Sequence, residues 1–367
     1  MTQEAAIKFF DMFAGIGGFR AGLERAGGFD CIGHCEIDRH ADRAYRAIHN
    51  VKEKEVFYED ATKINPETMP EFDLICGGFP CQAFSVAGRR KGFDDKRGAL
   101  FFEIARVAGK RQPPYLLLEN VPGLLSHDKG RTFAAILNAL HGMGYFCEWQ
   151  VLNSKDFGVP QSRRRLYLVG YLDKRCAGKI FPVRGTNGQA LKLLINGGQH
   201  SRVYCPSGLA KTLLTKADGS GTGLYAVRGP AGGRDGQAGT LKIKEATRRG
   251  FKEAGPGDSV DVSFPGTNTR RGRVGKNIAH TLNTGRPQGV VTDSLRIRRL
   301  TPKECFRLQG FSRRQTARLL EVDSDTQAYK QAGNAVTVNV VHALALRLKA
   351  MHMENMAGQG PERRKHD

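Results

Sequence analysis

Cys81 stands just beyond an apolar run, at a point where the chain is expected to turn. Residues 73–76 read as a buried strand, and two glycines at 77–78 end it. Pro80 then fixes the backbone, so the thiol of Cys81 should lie on a turn that a substrate can reach. A cysteine in such a position is either a nucleophile or a small buried apolar residue, and the rest of the chain must decide which.

Three further segments join a predicted buried strand to residues that can do chemistry. Residues 9–19 predict a strand that runs into a glycine-rich turn and then a helix, where the backbone can approach a ligand closely. Residues 116–122 predict a strand that ends in the carboxylate of Glu119. Residues 161–167 carry three consecutive arginines, of which Arg163 and Arg165 should project to the same side of a strand.

Together with residues 299–304 and 333–336, these segments resemble the ordered motif set of the DNA (cytosine-5)-methyltransferases, particularly the bacterial and phage modification enzymes. The resemblance extends along nearly the whole chain. It implies an α/β fold: a Rossmann-like, S-adenosylmethionine-dependent large domain with a small, glycine-rich target-recognition domain of strands and loops. It also implies S-adenosyl-L-methionine as methyl donor, S-adenosyl-L-homocysteine as product, no metal, and double-stranded DNA as substrate.

The cofactor site is expected at the ends of the first three strands. Glu36 follows Gly17 by 19 residues, where an acid can accept hydrogen bonds from ribose hydroxyls. Asp60 suits the exocyclic amine of an adenine, with helix N-capping before Thr62 as the alternative. The resemblance places Phe13 against the adenine and completes the expected set, which is Phe13, Gly15, Ile16, Gly17, Gly18, Glu36, Ile37, Asp60, Ala61, Pro80, Leu100, Asn334 and Val336.

The chemistry explains why a cysteine is needed. Cytosine C5 becomes nucleophilic only after a thiolate adds to C6, and the resemblance makes Cys81 that thiolate. Glu119 would donate a proton or hydrogen bond at N3, because burial at a strand end favours its protonated form; an ordinary strand-end carboxylate is the alternative. Arg165 would lie near the cytosine O2 and the thiol, and Arg163 would hold the site together or contact phosphate. The expected catalytic residues are Cys81, Glu119, Arg163 and Arg165.

A base inside a duplex must leave the stack before its ring can be attacked. The basic, glycine-containing loop at 83–98 is suited to closing over that base, although a solvated surface loop would have the same composition. Residues 197–213 resemble the recognition region of bacterial relatives, and Gln199 would fill the space left by the flipped base unless it is an ordinary loop amide. The expected DNA contacts are Gln82, Ser85, Arg89, Arg97, Gln199, Arg202 and Thr212.

Charge and glycine content change sharply along the chain. Its net charge is +21, and residues 172–296 alone carry 21 Lys and Arg against 8 Asp and Glu, together with 22 of the 45 glycines. Such a basic, glycine-rich stretch is typical of a nucleic-acid-binding region rather than a second α/β layer. We expect residues 1–180 with 330–352 to form the catalytic and cofactor-binding domain, 181–296 the target-recognition domain, 297–329 a connection, and 353–367 a disordered tail.

The elements that must position these residues alternate along the first half of the chain. Strands are predicted to begin near Ile7, Asp30, Val56, Leu74, Tyr115, Phe146 and Leu166, with helices at 19–26, 98–109 and 132–141 between them and a closing helix at 336–351. Thr301 should cap a helix that has a proline at its first position and Glu304 as the capping-box acid.

Other features narrow the class of protein. No apolar run approaches the roughly 18 residues that a membrane span needs, and the first residues lack a signal-peptide pattern. The cysteines are scattered, and Cys31 with Cys35 lacks the second ligand pair of a zinc site. We therefore expect a cytoplasmic, monomeric enzyme, with a restriction endonuclease as a possible genetic partner. The rival hypotheses are an RNA cytosine methyltransferase and a catalytically silent DNA-binding regulator.

Overall fold

The computed structural model describes residues 6–79, 100–185, 240–261, 273–276, 294–298 and 300–357, and short strands at 189–190, 193–195, 203–204, 208–209 and 288–291. Some expected site residues lie outside the described residues, namely Pro80, Cys81, Gln82, Ser85, Arg89, Arg97, Gln199, Arg202 and Thr212. The chain divides into two compact units. The first comprises Met1–Leu152, Arg164–Val183 and Val340–Asp367, and the second comprises Asn153–Arg163 and Arg184–Asn339.

A seven-stranded sheet organises the first unit. Its strands are β1 (Ile7–Met12), β2 (Phe29–Cys35), β3 (Val56–Tyr58), β4 (Leu74–Gly78), β5 (Tyr115–Asn120), β6 (Phe146–Asn153) and β7 (Arg164–Tyr171). They are arranged in the order β3-β2-β1-β4-β5-β7-β6. Each of the seven predicted strand starts falls within two residues of an observed one, so the α/β fold is confirmed.

One strand departs from the parallel arrangement of its neighbours. Strands β1 to β5 pair in parallel, whereas β7 runs antiparallel to β5. The connection from β6 to β7 covers only residues 154–163, which is shorter than the dozen or more residues that a parallel crossover needs. The chain therefore reverses, and β7 inserts between β5 and β6.

Helices connect and cover these strands. They are α1 (Gly18–Ala26), α2 (Arg39–His49), α3 (Leu100–Arg111), α4 (Arg131–Gly142), α5 (Pro302–Leu308), α6 (Arg313–Val322), α7 (Asp325–Asn334) and α8 (Val338–Ala357). Buried side chains of α3 and α4, including Phe101, Ile104 and Leu140, pack with Ile75 and Leu116 from the sheet. This packing holds the C-terminal ends of β4 and β5 in place.

The last helix is longer than predicted. It continues to Ala357, so residues 353–357 are helical and do not belong to the disordered tail that the sequence suggested. Contacts distant in sequence hold this end of α8. Tyr115 Oη lies 3.1 Å from His352 Nδ1, Asn355 Nδ2 lies 2.9 Å from Cys176 Sγ, and Lys179 pairs with Glu354 at 2.9 Å.

The second unit contains short strands and helices α5 to α7. Strands β8 (Gln189–Ala190), β9 (Leu193–Ile195), β10 (Val203–Tyr204) and β11 (Gly208–Leu209) form two small pairs. Strands β12 (Leu241–Lys244) and β13 (Phe251–Ala254) form a hairpin, and β14 (Ser259–Asp261), β15 (Val274–Gly275), β16 (Gln288–Val291) and β17 (Ile297–Arg298) form a four-stranded sheet. A small core of Ala254, Val260, Val274 and Val291 lies among these strands.

The predicted capping box of α5 is present. The N–H of Thr301 donates to Oε2 of Glu304 at 2.7 Å, and the N–H of Glu304 donates to Oγ1 of Thr301 at 3.4 Å. Residues 153–163 and 330–339, which the sequence assigned to the catalytic domain, group with the second unit. One reason is the amide of Gln161, which donates to the carbonyl of Leu308 at 3.3 Å and to Oε1 of Gln309 at 3.1 Å.

Candidate active site

The turn after β1 is held open by backbone conformations that favour glycine. Phe13, Gly15 and Gly17 have φ values of 56°, 55° and 78°, and Gly17 is the N-cap of α1. The N–H of Ala14 donates to the carbonyl of Cys35 at 3.0 Å, which ties the turn to the end of β2. The turn therefore presents backbone at a helix start, where a ligand can approach closely.

The two glycines of this turn differ in what surrounds them. A Cβ on Gly17 would lie 2.1 Å from Nε2 of His49, whereas a Cβ on Gly15 would meet nothing within 4 Å. His49 also donates from Nε2 to the carbonyl of Ile16 at 3.2 Å, and burial lowers its pKa. The packing around His49 thus requires a glycine at position 17, whereas Gly15 faces open space that a ligand could occupy.

Glu36 links this turn to the end of β2. Its Oε2 accepts the N–H of Gly15 at 2.7 Å, and its Oε1 accepts the N–H of Asp38 at 2.8 Å. Burial raises the pKa of Glu36, and the two backbone hydrogen bonds oppose that rise. Each carboxylate oxygen keeps a lone pair for a ligand hydroxyl. The next residue, Ile37, is 69% exposed, which is unusual for a large apolar side chain.

Asp60 has the capping role that the sequence left open. Its Oδ1 accepts the N–H of Thr62 at 2.9 Å and the Oγ1 hydroxyl of Thr62 at 2.8 Å, and these bonds lower the pKa of Asp60. The short helical turn Ala61–Lys63 follows, with Ala61 buried. Capping employs Oδ1, so Oδ2 can still accept a hydrogen bond from a ligand.

The remaining described members of the expected cofactor set are divided between the first unit and the second unit. Ile16 and Gly18 are buried in the turn and in the first residue of α1, and Leu100 is the half-buried first residue of α3. Asn334 and Val336 belong to the second unit, where Asn334 is the exposed last residue of α7 and Val336 is half-buried.

Glu119 and Arg165 form an ion pair at the end of the sheet. Nε of Arg165 lies 2.9 Å from Oε1 of Glu119, and the two side chains are only 16% and 12% exposed. Glu119 pairs in register with Gly78 at the end of β4. Cys81 follows Gly78 by three residues in the sequence, so the chain leaves the sheet toward Cys81 from a point beside this carboxylate.

Asn120 fixes the backbone where the chain leaves the sheet after β4. Its Nδ2 donates to the carbonyl of Phe79 at 3.3 Å, and its Oδ1 accepts the N–H of Val121 at 2.8 Å. The side chain is buried, where hydrogen bonds of this kind are costly to lose. Asn120 thus connects the strand that carries Glu119 to the residue immediately before Pro80.

Arg163 makes structural contacts within the second unit. Its guanidinium is buried, and Nη1 donates to the carbonyl of Gly333 at 3.0 Å. The backbone N–H of Arg163 donates to Oγ of Ser154 at 3.0 Å. These bonds fix the end of α7, next to Asn334.

The sequence did not reveal a buried polar cluster beneath the glycine turn. Arg20 is almost completely buried on α1 and forms a two-pronged ion pair with Glu55, with N–O distances of 2.6 and 3.0 Å. Its Nε also reaches Glu24 at 2.7 Å. The available signal was an arginine directly after the turn, between the apolar residues Phe19 and Ala21. The cluster stiffens the helix start that supports the turn.

Five of the six described thiols are poorly suited to act as nucleophiles. Burial raises the pKa of Cys31, Cys35 and Cys147 to about 12, and it raises the pKa of Cys76 and Cys176 as well. Across the described part of the chain, no three His, Cys, Asp or Glu residues are grouped to hold a metal. No described helix has the length and apolar character needed to cross a membrane.

Comparisons with known proteins identify the family of this chain. The model of the C-5 cytosine-specific DNA methylase family matches residues 7–350. The type II methyltransferase M.DsaV of Dactylococcopsis salina is 35% identical over 346 residues, covering 94% of this chain and 87% of that protein. The orphan methyltransferase M.SPRI of Bacillus phage SPR is 31% identical over 424 residues, covering 92% and 96%.

A solved structure shares the fold. It is the putative DNA modification methyltransferase encoded within a prophage of Escherichia coli, which superposes with a TM-score of 0.60 at 20% identity and covers 95% of this chain and 100% of its own. The sequence match extends over most of both proteins, so it supports a family assignment more strongly than the shared fold does. This chain belongs to the C-5 cytosine-specific DNA methylase family.

Proposed function

We propose that this enzyme methylates C5 of a cytosine in a short duplex DNA site, through a transient bond between Cys81 and C6 of a base rotated out of the helix. Enzymes of the family use S-adenosylmethionine, which supplies an electrophilic methyl group on a sulfonium sulfur. The observation that carries the proposal is the bond from Asn120 to the carbonyl of Phe79. It holds Phe79, two residues before Cys81, next to the strand end that carries Glu119.

Each catalytic residue then has one task. The thiolate of Cys81 shares its electron pair with C6, and Glu119 gives N3 a proton or a strong hydrogen bond as charge develops in the ring. C5 would take the methyl group from the sulfonium donor as its S–CH3 bond breaks, S-adenosyl-L-homocysteine would be the product, and N3 would return any proton to Glu119. A base next removes the C5 proton, the electrons of that bond restore the C5–C6 double bond, and the thiolate of Cys81 leaves. The positive charge of Arg165, which holds Glu119 at 2.9 Å, favours the anionic ring.

The donor would lie against the turn after β1. Open space at Gly15, the free lone pairs of Glu36, and the exposed apolar side chain of Ile37 fit a nucleoside with a ribose and an adenine. Asp60 would accept the adenine amine through Oδ2, and Phe13 would pack on the ring. The other proposed contacts are Ile16, Gly17, Gly18, Ala61, Pro80, Leu100, Asn334 and Val336.

DNA recognition is proposed for the basic stretch 181–296 and the loop at 83–98. The strand around the flipped cytosine would be contacted by Gln82, Ser85, Arg89 and Arg97. Gln199 would fill the space left by the flipped base, and Arg202 and Thr212 would contact the bases or phosphates around that space. The relatives include both a type II and an orphan methyltransferase. We propose that the enzyme marks host or phage DNA, and that any restriction endonuclease of the same specificity is a genetic partner rather than a subunit.

The mechanism is tested by replacing the thiol. Purified Cys81→Ser should not transfer a radioactive methyl group to duplex DNA, and it should form no covalent adduct with duplexes containing 5-fluorocytosine. Cys147→Ser is the matched control, because the half-buried Cys147 thiol has a pKa raised to about 12 and takes no part in the proposed chemistry. Normal turnover by Cys81→Ser would contradict the proposal.

The substrate is tested separately. Bisulfite sequencing of DNA from cells that express the protein should reveal methylated cytosines within one short sequence, and Cys81→Ser cells should show none. Duplex DNA and transfer RNA should be assayed side by side with the same radioactive donor. Preferential labelling of RNA would replace the DNA proposal with the RNA alternative. DNA binding without methylation of either substrate would favour the silent regulator.

A further inference from the structure

The hairpin of β12 and β13 has one apolar face and one basic face. Leu241 and Ile243 pack against the small core that contains Ala254 and Val260. Side chains alternate between faces along a strand, so Lys242 and Lys244 point the other way, and both are exposed. The pairing register places Glu253 opposite Lys242 and Phe251 opposite Lys244.

Most of the positive charge on the basic face is not neutralised. Lys242, Lys244 and Arg248 form no ion pair with any residue that the structure describes. Arg249 approaches Glu253 only to 3.9 Å at an exposed position, where such a pair contributes little. Glu253 is therefore the acidic side chain that faces these four cations on the strands, because Glu245, in the turn between β12 and β13, is buried and accepts the N–H of Val274 at 2.8 Å.

Neighbouring cations are engaged in different ways. The ammonium of Lys276 lies 2.6 Å from Oδ2 of Asp258. Arg273 is buried, and its guanidinium donates to the carbonyls of Asp261 and Lys244. These contacts hold the backbone in place, so the charge available to a partner is concentrated on the hairpin.

An aromatic ring orients two of the exposed cations. Nζ of Lys242 lies 4.9 Å from the ring centroid of Phe251, and Cζ of Arg249 lies 5.1 Å from it. Attraction to the ring face holds both cations on one side of the hairpin. An open cleft beside them is lined by Thr247, Arg248, Arg249, Phe251, Lys252, Glu253 and Lys276. Four of these seven residues carry positive charge and one carries negative charge, so an anionic partner is favoured.

We propose that this basic face, comprising Lys242, Lys244, Arg248 and Arg249, grips the phosphates of duplex DNA beside the recognised site. The inference rests on the proposed function and extends it to residues that no motif identifies. A two-stranded ribbon is narrow enough to enter the major groove or lie along its edge. Contacts to phosphate set the register of the protein on DNA and carry no sequence information.

The test compares Lys242→Ala/Lys244→Ala with the matched control Lys52→Ala/Lys54→Ala, which removes two exposed lysines from the first unit. Each lost phosphate contact should reduce the slope of log Kobs against log salt by about 0.9, so the hairpin variant should lose about 1.8. Its affinity should fall by roughly 10- to 100-fold at 0.1 M salt. Target and non-target duplexes should be affected equally, while the control keeps the slope of the unaltered protein.

The outcomes separate this inference from the proposed function. Lys242→Arg/Lys244→Arg should restore the slope, and Lys52→Ala/Lys54→Ala should keep the kcat of the unaltered protein at saturating DNA. An unchanged slope in the alanine variant, with cytosine methylation intact, would overturn the hairpin inference alone. A loss confined to the target sequence would also overturn it, because phosphate contacts cannot discriminate sequences. A reduced slope in a protein that methylates no cytosine would support the hairpin contact while refuting the proposed function.

Discussion

Arg165 donates through Nε to Oε1 of Glu119 at 2.9 Å, across the antiparallel junction of β5 and β7. Glu119 pairs directly with Tyr167, so Arg165 is its diagonal neighbour two residues further along, on the same face of the sheet. A parallel β7 would direct its N-terminal end to the opposite edge. The reversal of this strand is what brings the arginine to the carboxylate.

Arg165→Ala should therefore lower activity and stability together. Removing a preorganised cation beside a developing anion should reduce kcat by about 10²- to 10³-fold. Leaving the mostly buried Glu119 without its partner should cost about 1–3 kcal/mol of unfolding free energy. Single-turnover methyl transfer and urea unfolding would measure the two effects. Arg164→Ala, at an exposed neighbouring position, should change neither by a comparable amount; a wild-type rate in Arg165→Ala would contradict the assigned role.

Asn120→Ala tests whether the start of the Cys81 segment must be fastened. The variant loses the hydrogen bonds to Phe79 and Val121, which should cost about 1–3 kcal/mol. Adduct formation with 5-fluorocytosine DNA should slow, while the KM for the methyl donor stays unchanged. Asn65→Ala is the control, because it removes a helix cap worth about 0.5–2 kcal/mol at an exposed site. Equal adduct rates in both variants would reduce Asn120 to a merely structural residue.

The sequence predicted those parts of the fold that depend on local pattern. Strand starts, the glycine turn and the capping box of Thr301 follow from apolar runs and from residue types at fixed offsets. The position of β7 depends on loop length and sheet order, which apolar periodicity does not record. The extension of α8 depends on partners such as Tyr115 and Cys176, more than 170 residues away in the chain.

The site was predicted in the same uneven way. The sequence motifs pointed to Glu36, Glu119 and Arg165, and each of these residues lies near the start or the end of a buried strand. The buried ion pair of Arg20 and Glu55 was not foreseen, since charged residues are almost never fully buried unless they are paired, and their pairing appears only in three dimensions. The sequence left the role of Asp60 open, because helix capping and ligand binding call for the same carboxylate.

Gly15→Ala and Gly17→Ala should distinguish a glycine that leaves room for a ligand from a glycine that the packing of the protein requires. Both substitutions force an alanine into the left-handed region, at a cost of about 1–2 kcal/mol. Gly17→Ala adds the collision with His49 and should destabilise the protein further. Gly15→Ala should instead weaken donor binding, measured by calorimetry, because its new methyl group occupies the open space.

A third glycine provides the control for that pair. Gly27 has a φ of 70° and nothing within 4 Å of an added Cβ, so Gly27→Ala also strains the backbone but does not enter the proposed site. Its affinity for the donor should equal that of the unaltered protein. Equal donor affinities in Gly15→Ala and Gly27→Ala would show that the open space at Gly15 is not the donor site.

Asp11 should make the stability of the protein depend on pH. This β1 carboxyl is fully buried, with Sγ of Cys76 3.6 Å from its Oδ1, and burial raises its pKa from 3.8 to about 7. The folded protein therefore keeps this proton up to about pH 7, whereas the unfolded chain releases it near pH 4. The stabilisation is complete below pH 4 and is lost as the pH rises to 7, by about 1.4 kcal/mol per pH unit.

Asp11→Asn isolates this contribution, because the amide cannot titrate. Urea unfolding should be measured at pH 5, 6, 7 and 8. From pH 5 to pH 7 the unfolding free energy of the unaltered protein should fall relative to that of Asp11→Asn. Above pH 7 the difference should be constant, since both the folded and the unfolded chain then carry the charge. Asp30→Asn, at an exposed position, should keep the slope of the unaltered protein. A difference that stays level from pH 5 to pH 8 would mean that Asp11 is already ionised in the folded protein, with Arg20 as the nearby positive charge that offsets the cost of burial.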